Sequence, residues 1–179
     1  MTLVTNLYAG PGCGKSTVAA HVFAELKWQG VECELVTEYA KDKVWEGTTA
    51  ILHNQMYVFS KQYQRLWRLQ RKVDVVITDS PILFSLMYGK EMSPEFIELI
   101  KSCYREVNNY DIYLERCKPY NPNGRLQTEN EAKILDKHIW EIITENSPNF
   151  DVFKGLRENV PDIVTSITDR LGRDGGRRR

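Results

Sequence analysis

Ala9-Gly10-Pro11-Gly12-Cys13-Gly14-Lys15-Ser16 is the stretch that decides how this chain folds. The apolar run Leu3-Val4-Thr5-Asn6-Leu7-Tyr8 precedes it and a helical pattern follows it, so the stretch turns a buried strand into a helix. A backbone that wraps around a polyphosphate needs glycines, so that N–H groups converge on the oxygens without Cβ clashes. The start of the next helix adds partial positive charge. The spacing matches the Walker A pattern G-x-x-x-x-G-K-[ST] with one departure, Ala9 in place of the first glycine. Gly10, Gly12 and Gly14 keep the loop permissive. Gly10, Gly12, Cys13, Gly14, Lys15, Ser16 and Thr17 are therefore the expected phosphate cradle. Lys15 would reach the β- and γ-phosphates and the Ser16 hydroxyl would sit on Mg²⁺. The expected cofactors are ATP and Mg²⁺.

Outward from the loop, short β-rich runs alternate with amphipathic stretches, the mark of repeated βα units on a parallel sheet. Residues 16–29 read as a helix with Val18, Val22 and Leu26 on one face and Gly30 closing its end. Further strands are predicted at 33–37, 73–78, 110–114 and 150–153. A long helix is predicted at 51–71, and another begins at Ser93-Pro94-Glu95. The capping box Thr128-x-x-Glu131 launches a helix carrying Ala132, Leu135, Ile139 and Ile142 inward, and residues 160–171 form the last. Residues 1–171 are expected to be one domain, and 172–179, ending in three arginines, a disordered basic tail.

An apolar strand ending in an acid is what the partner of a Walker A loop requires, because that carboxylate holds Mg²⁺ or its waters opposite the serine hydroxyl. Asp79 is that acid. Glu38 ends the second strand in the same way. The carboxyl ends of the strands in an α/β sheet share the ligand crevice, so Glu38 is a candidate to orient or deprotonate an acceptor hydroxyl; a solvated helix-start carboxylate is the alternative. The following helix mixes amides with rings. Gln55 is a candidate reader of a nucleobase edge, with Tyr57 and Phe59 as ring contacts, although the same ring spacing also suits a core. Residues 115–127 combine breakers with cations directly after a strand. This predicts a mobile lid whose Arg116 and Arg125 close over the phosphates, with Lys118 third; a solvated basic loop is the alternative.

Composition bounds these readings. The 179 residues are 42% hydrophobic, enough for one core without staples. Lys+Arg and Asp+Glu balance at 24 each, which argues against wholesale nucleic-acid or membrane binding. No apolar run approaches a membrane span and no signal pattern opens the chain, so a cytoplasmic protein is expected. A homodimer is left open. Cys13, Cys33, Cys103 and Cys117 form no zinc spacing and are expected to be reduced thiols. Cys13, in the loop at a helix N-terminus, is expected to favour the thiolate.

Four elements together resemble the NadR-like P-loop kinase family, which includes ribosylnicotinamide kinases, and nucleoside and nucleotide kinases more broadly. They are Gly14-Lys15-Ser16-Thr17, Thr37-Glu38-Tyr39-Ala40, Thr78-Asp79-Ser80-Pro81 and Tyr110-Asp111-Ile112-Tyr113-Leu114, and the resemblance covers about residues 3–171. It implies a P-loop three-layer sandwich with a five-stranded parallel sheet of order 2-3-1-4-5 and an Arg-bearing lid. It also implies that Glu38 faces the acceptor hydroxyl and that Gln55 lies near its base, and Tyr39 beside Glu38 is a further candidate substrate contact. The chain departs from nucleoside kinases at Ser80-Pro81, where those commonly carry an arginine after the acid. Three function classes remain open: a kinase of a nucleoside or nucleoside monophosphate, a stand-alone NTPase switch, and a kinase of polynucleotide ends. No guanine-reading N-K-x-D string favours the second, and only the arginine-rich tail favours the third.

Overall fold

The structure, a computed structural model, describes residues 1–88, 92–117 and 128–175. Five strands, β1 (Leu3–Tyr8), β2 (Cys33–Val36), β3 (Val75–Thr78), β4 (Asn108–Glu115) and β5 (Phe150–Lys154), form one parallel sheet of order β2-β3-β1-β4-β5. The strand order agrees with the sequence expectation. Parallel neighbours require crossovers, which five helices supply, α1 (Lys15–Trp28), α2 (Tyr39–Trp45), α3 (Gln55–Trp67), α4 (Pro94–Arg105) and α5 (Glu129–Asn146), and α6 (Val160–Gly175) follows β5.

β1 lies at the centre of the sheet with every residue buried. Alternation sends Leu3 and Leu7 into one apolar layer with Val18, Val22 and Leu26 of α1 and Ile163 and Ile167 of α6. Val4 and Tyr8 enter the opposite layer with Phe59 and Leu66 of α3, Ile100 of α4 and Ile139 and Ile143 of α5. Each fully buried aliphatic side chain stabilises the fold by about 1.5–3 kcal/mol. A one-residue slip would exchange the two sets, so both layers fix the register. Between β1 and β4 runs a buried polar tie: Asn6 Nδ2 donates to Asp111 Oδ1 at 2.8 Å, and the Tyr104 hydroxyl donates to Oδ2.

Three elements differ from expectation. Helix 51–71 is two pieces, because Asn54 caps α3 by accepting from Tyr57 N at 3.1 Å and a separate 3-10 turn, Thr49–His53, precedes it. Ile143 rather than Ile142 is fully buried on α5. α6 continues to Gly175, so residues 172–175 are helical rather than part of a disordered tail. Lys118 and Arg125 of the expected lid lie outside the described residues, as do residues 176–179.

Candidate functional site

Gly12 (φ 90°) and Gly14 (φ 87°) take left-handed backbone, which bends residues 9–14 around the start of α1. Position 9 needs no such conformation, and Ala9 is buried with its methyl in the core, so the departure from the motif leaves the turn intact. Gly14 precedes α1 without a side-chain cap, leaving first-turn N–H groups without a side-chain acceptor at the loop's concave side. Two other glycines permit close approach. A Cβ on Gly155, just after β5, would lie 2.2 Å from the Cys13 carbonyl oxygen, and one on Gly10 would lie 1.9 Å from Asp136 Oδ1.

Strand ends converge on this loop. Ser16 Oγ donates to Asp79 Oδ2 at 2.5 Å, joining the first turn of α1 to the end of β3. Asp79 is buried, and its Oδ1 has no hydrogen-bond partner among the described residues. An enclosed carboxylate oxygen beside a hydroxyl is the donor set a hard dication takes, so Ser16 and Asp79 fit Mg²⁺. Among the described residues no group of three or more His, Cys, Asp or Glu could hold a metal. Lys15 Nζ donates to the Ala9 carbonyl at 2.8 Å and lies 5.5 Å from the Phe84 ring centroid. Burial lowers its pKa, against the opposing pull of Glu38 and Asp79. Glu38, immediately before α2, shows the reverse: burial raises its carboxyl and Lys15 partly offsets this. In both groups burial disfavours the charged form, and their mutual attraction favours it. A cavity of about 200 Å³ opens at this point, lined by Ser16, Asp79, Thr37, Lys41 and Trp45 among others.

Several expected residues sit elsewhere. Phe59 is a core residue, stacked on Tyr63 and edge-on to Phe96, and is corrected from ligand contact to packing. Gln55 turns its amide back to the Leu52 carbonyl at 2.7 Å and lines neither cavity described here. Tyr39 and Tyr57 meet edge to face at 6.0 Å and line a second cleft beside β2. Cys13 is buried next to Asp136, and its thiol is pushed up to about 11 by burial first and that carboxylate second, so the expected thiolate is corrected to a neutral thiol. Arg116 makes bidentate bonds to Asp136 (2.7 and 3.0 Å) and donates to the Pro11 carbonyl at 2.9 Å. In this conformation it braces the loop's outer side.

Four contributors were not anticipated from sequence. Asp136 anchors Arg116, and Phe84 flanks Lys15. Gln62 Oε1 accepts from Tyr39 N at 2.9 Å, holding the β2–α2 junction and therefore Glu38. Trp45 lines the cavity at 83% exposure. The only sequence signal for Trp45 was a large aromatic on a short helix just after Glu38.

No family model matches the chain, and no curated protein sequence matches it. Among solved structures, YorR from Bacillus subtilis, in complex with phosphorylated GDP, is similar at TM-score 0.59 and 15% identity, over 97% of this chain and 98% of that one. APE1195 is similar at TM-score 0.52 and 17% identity, over 95% and 97%. At these identities the likeness is one of fold, and it extends across at least 95% of the chain.

Proposed function

We propose that this chain is a phosphotransferase that moves the γ-phosphoryl group of ATP, with Mg²⁺, onto a nucleoside or nucleotide acceptor. The carrying observation is convergence: the glycine loop, the Ser16–Asp79 pair with its unpartnered carboxylate oxygen, and Glu38 all meet at the carboxyl ends of β1, β2 and β3. The nucleotide held by YorR and the sequence resemblance to NadR-like kinases support the same reading.

In the proposed reaction an acceptor oxygen attacks the γ-phosphorus while the bond from that phosphorus to the β–γ bridging oxygen breaks and ADP leaves. The acceptor proton passes to Glu38. Burial makes that carboxylate more basic than an exposed one, which favours this role. Lys15 stabilises charge developing on the transferring group from within a poorly solvated loop. Bound at Ser16 and Asp79, Mg²⁺ would neutralise charge on the β- and γ-phosphate oxygens. Arg116 keeps the loop in shape through Asp136.

Two variants test the reading together. Lys15→Ala should lower transfer about a hundredfold or more. Glu38→Gln should retain ATP affinity and lose acceptor phosphorylation. Wild-type transfer rates in both variants would overturn the assignment.

A further inference from the structure

The chain balances its charges overall but not locally. Residues 47–73 contain Lys61, Arg65, Arg68, Arg71 and Lys72 and no Asp or Glu. Lys61, Arg65 and Arg68 stand at i, i+4 and i+7, which places them on one side of α3 and its continuation. That side closes a cleft of about 440 Å³ along edge strand β2, lined also by Lys43, Tyr39, Tyr57 and Thr37. Lys43 pairs with Glu46, and Arg65 with Asp42. Lys61 and Arg68 are exposed and have no ion pair among the described residues; Lys61 Nζ sits 5.3 Å from the Tyr57 ring centroid.

The cleft and the proposed acceptor position are joined at Thr37. This residue lines both cavities, stands next to Glu38, and accepts from Arg65 Nη1 through its carbonyl at 3.1 Å. A nucleoside carries no charge to meet these cations, and a nucleoside monophosphate carries its charge at the reacting end. Phosphates leading away from the acceptor hydroxyl are what Lys61 and Arg68 match, while the cleft's rings are already engaged, Tyr39 buried against Lys43 and Arg65 and Tyr57 against Lys61. Resting on the phosphotransferase reading, we infer that the acceptor is the 5′ end of a single-stranded nucleic acid, its backbone lying in the Lys61/Arg68 cleft and its terminal hydroxyl at Glu38. That hydroxyl would attack the γ-phosphorus as above, yielding a 5′-phosphorylated strand and ADP.

The test uses a 5′-hydroxyl hexanucleotide, as DNA and as RNA, labelled at its 3′ end, and the variant Lys61→Ala/Arg68→Ala, which leaves the phosphate loop untouched. Binding by anisotropy should weaken with salt. The variant should bind about tenfold more weakly or worse, with a salt slope reduced by about 1.4, or 0.7 for each lost phosphate contact on a single strand. ATP affinity should not change. The KM for the strand in transfer should rise in parallel, while that for a free nucleoside stays put. Strand binding that is absent, or equal in wild type and variant, would overturn the cleft assignment even if small nucleosides are phosphorylated. Salt-dependent binding lost in the variant, with no transfer to any acceptor in either protein, would overturn the phosphotransferase reading and leave the cleft as a strand-binding surface.

Discussion

Gly10→Ala should damage this protein through one contact, and the damage should vanish when that contact is removed. Gly10 has no positive φ, so alanine is compatible with its backbone. The obstacle is the Asp136 carboxylate, whose Oδ1 lies 1.9 Å from the position a Cβ would take. Asp136 cannot simply rotate away, because Arg116 holds both of its oxygens, at 2.7 and 3.0 Å. The pair is mostly enclosed, with side-chain exposures of 14% and 17%. Its separation gives up two charge-assisted hydrogen bonds, for a total cost of about 3 kcal/mol once residual solvent is allowed for. For a chain of this size that is a fall in Tm of about 6–12 °C. Asp136→Ala should by itself cost a similar amount, because it leaves the Arg116 guanidinium, whose Nη1 lacks a partner among the described residues, enclosed without its carboxylate. Adding Gly10→Ala to Asp136→Ala should then cost about 0.5 kcal/mol or less, because the one neighbour left within close range, Arg116 Nη2 at 3.2 Å, is the far end of a flexible side chain. Thermal unfolding of the four proteins completes the cycle. Equal costs of Gly10→Ala in both backgrounds would refute the claim that the Arg116–Asp136 pair, rather than the backbone, demands glycine at position 10.

Three further outcomes follow from the same geometry. Asp79→Asn should weaken nucleotide binding more in Mg²⁺ than in EDTA, because the lost charge acts on the ion and its waters; titration calorimetry under both conditions would contradict this by showing equal losses. Glu38 must be ionised to accept a proton and burial raises its pKa, so kcat should fall as pH drops through a value above the ordinary carboxylate range. Glu38→Gln should abolish that acid limb, and a pH profile common to both proteins would exclude the role. With its thiol near 11, Cys13 should be about one part in a thousand thiolate at pH 8. Iodoacetamide followed by peptide mass mapping should therefore label exposed Cys117 well before Cys13, and equal rates would place the Cys13 thiol lower.

Local signals carried the fold. Alternating burial in Leu3–Tyr8, the glycine loop and the Thr128–Glu131 capping box each act over a few residues, and each is present in the structure. What stayed hidden depends on contacts across the chain. Arg116 reads as a lid cation until Asp136, 20 residues further on, is seen to bind it. Cys13 reads as a helix-start thiolate until the same carboxylate is found beside it. Rings at helical spacing do not reveal which one points inward, and Phe59 does while Tyr57 lines a cleft. The basic stretch 47–73 is concealed by a balanced total, and only α3 and its continuation bring Lys61, Arg65 and Arg68 to one side.

Whether the phosphate loop and Glu38 serve one transfer reaction is read from ADP release in the presence of ATP and Mg²⁺. The panel is a set of nucleosides, nucleoside monophosphates and 5′-hydroxyl oligonucleotides, each measured against a control without acceptor. At least one acceptor should raise ADP release well above that control in the wild type, and Glu38→Gln should remove the increase while keeping ATP affinity. ADP release at the same rate with and without every acceptor, unchanged by Glu38→Gln, would contradict it and leave a nucleotide hydrolase in its place.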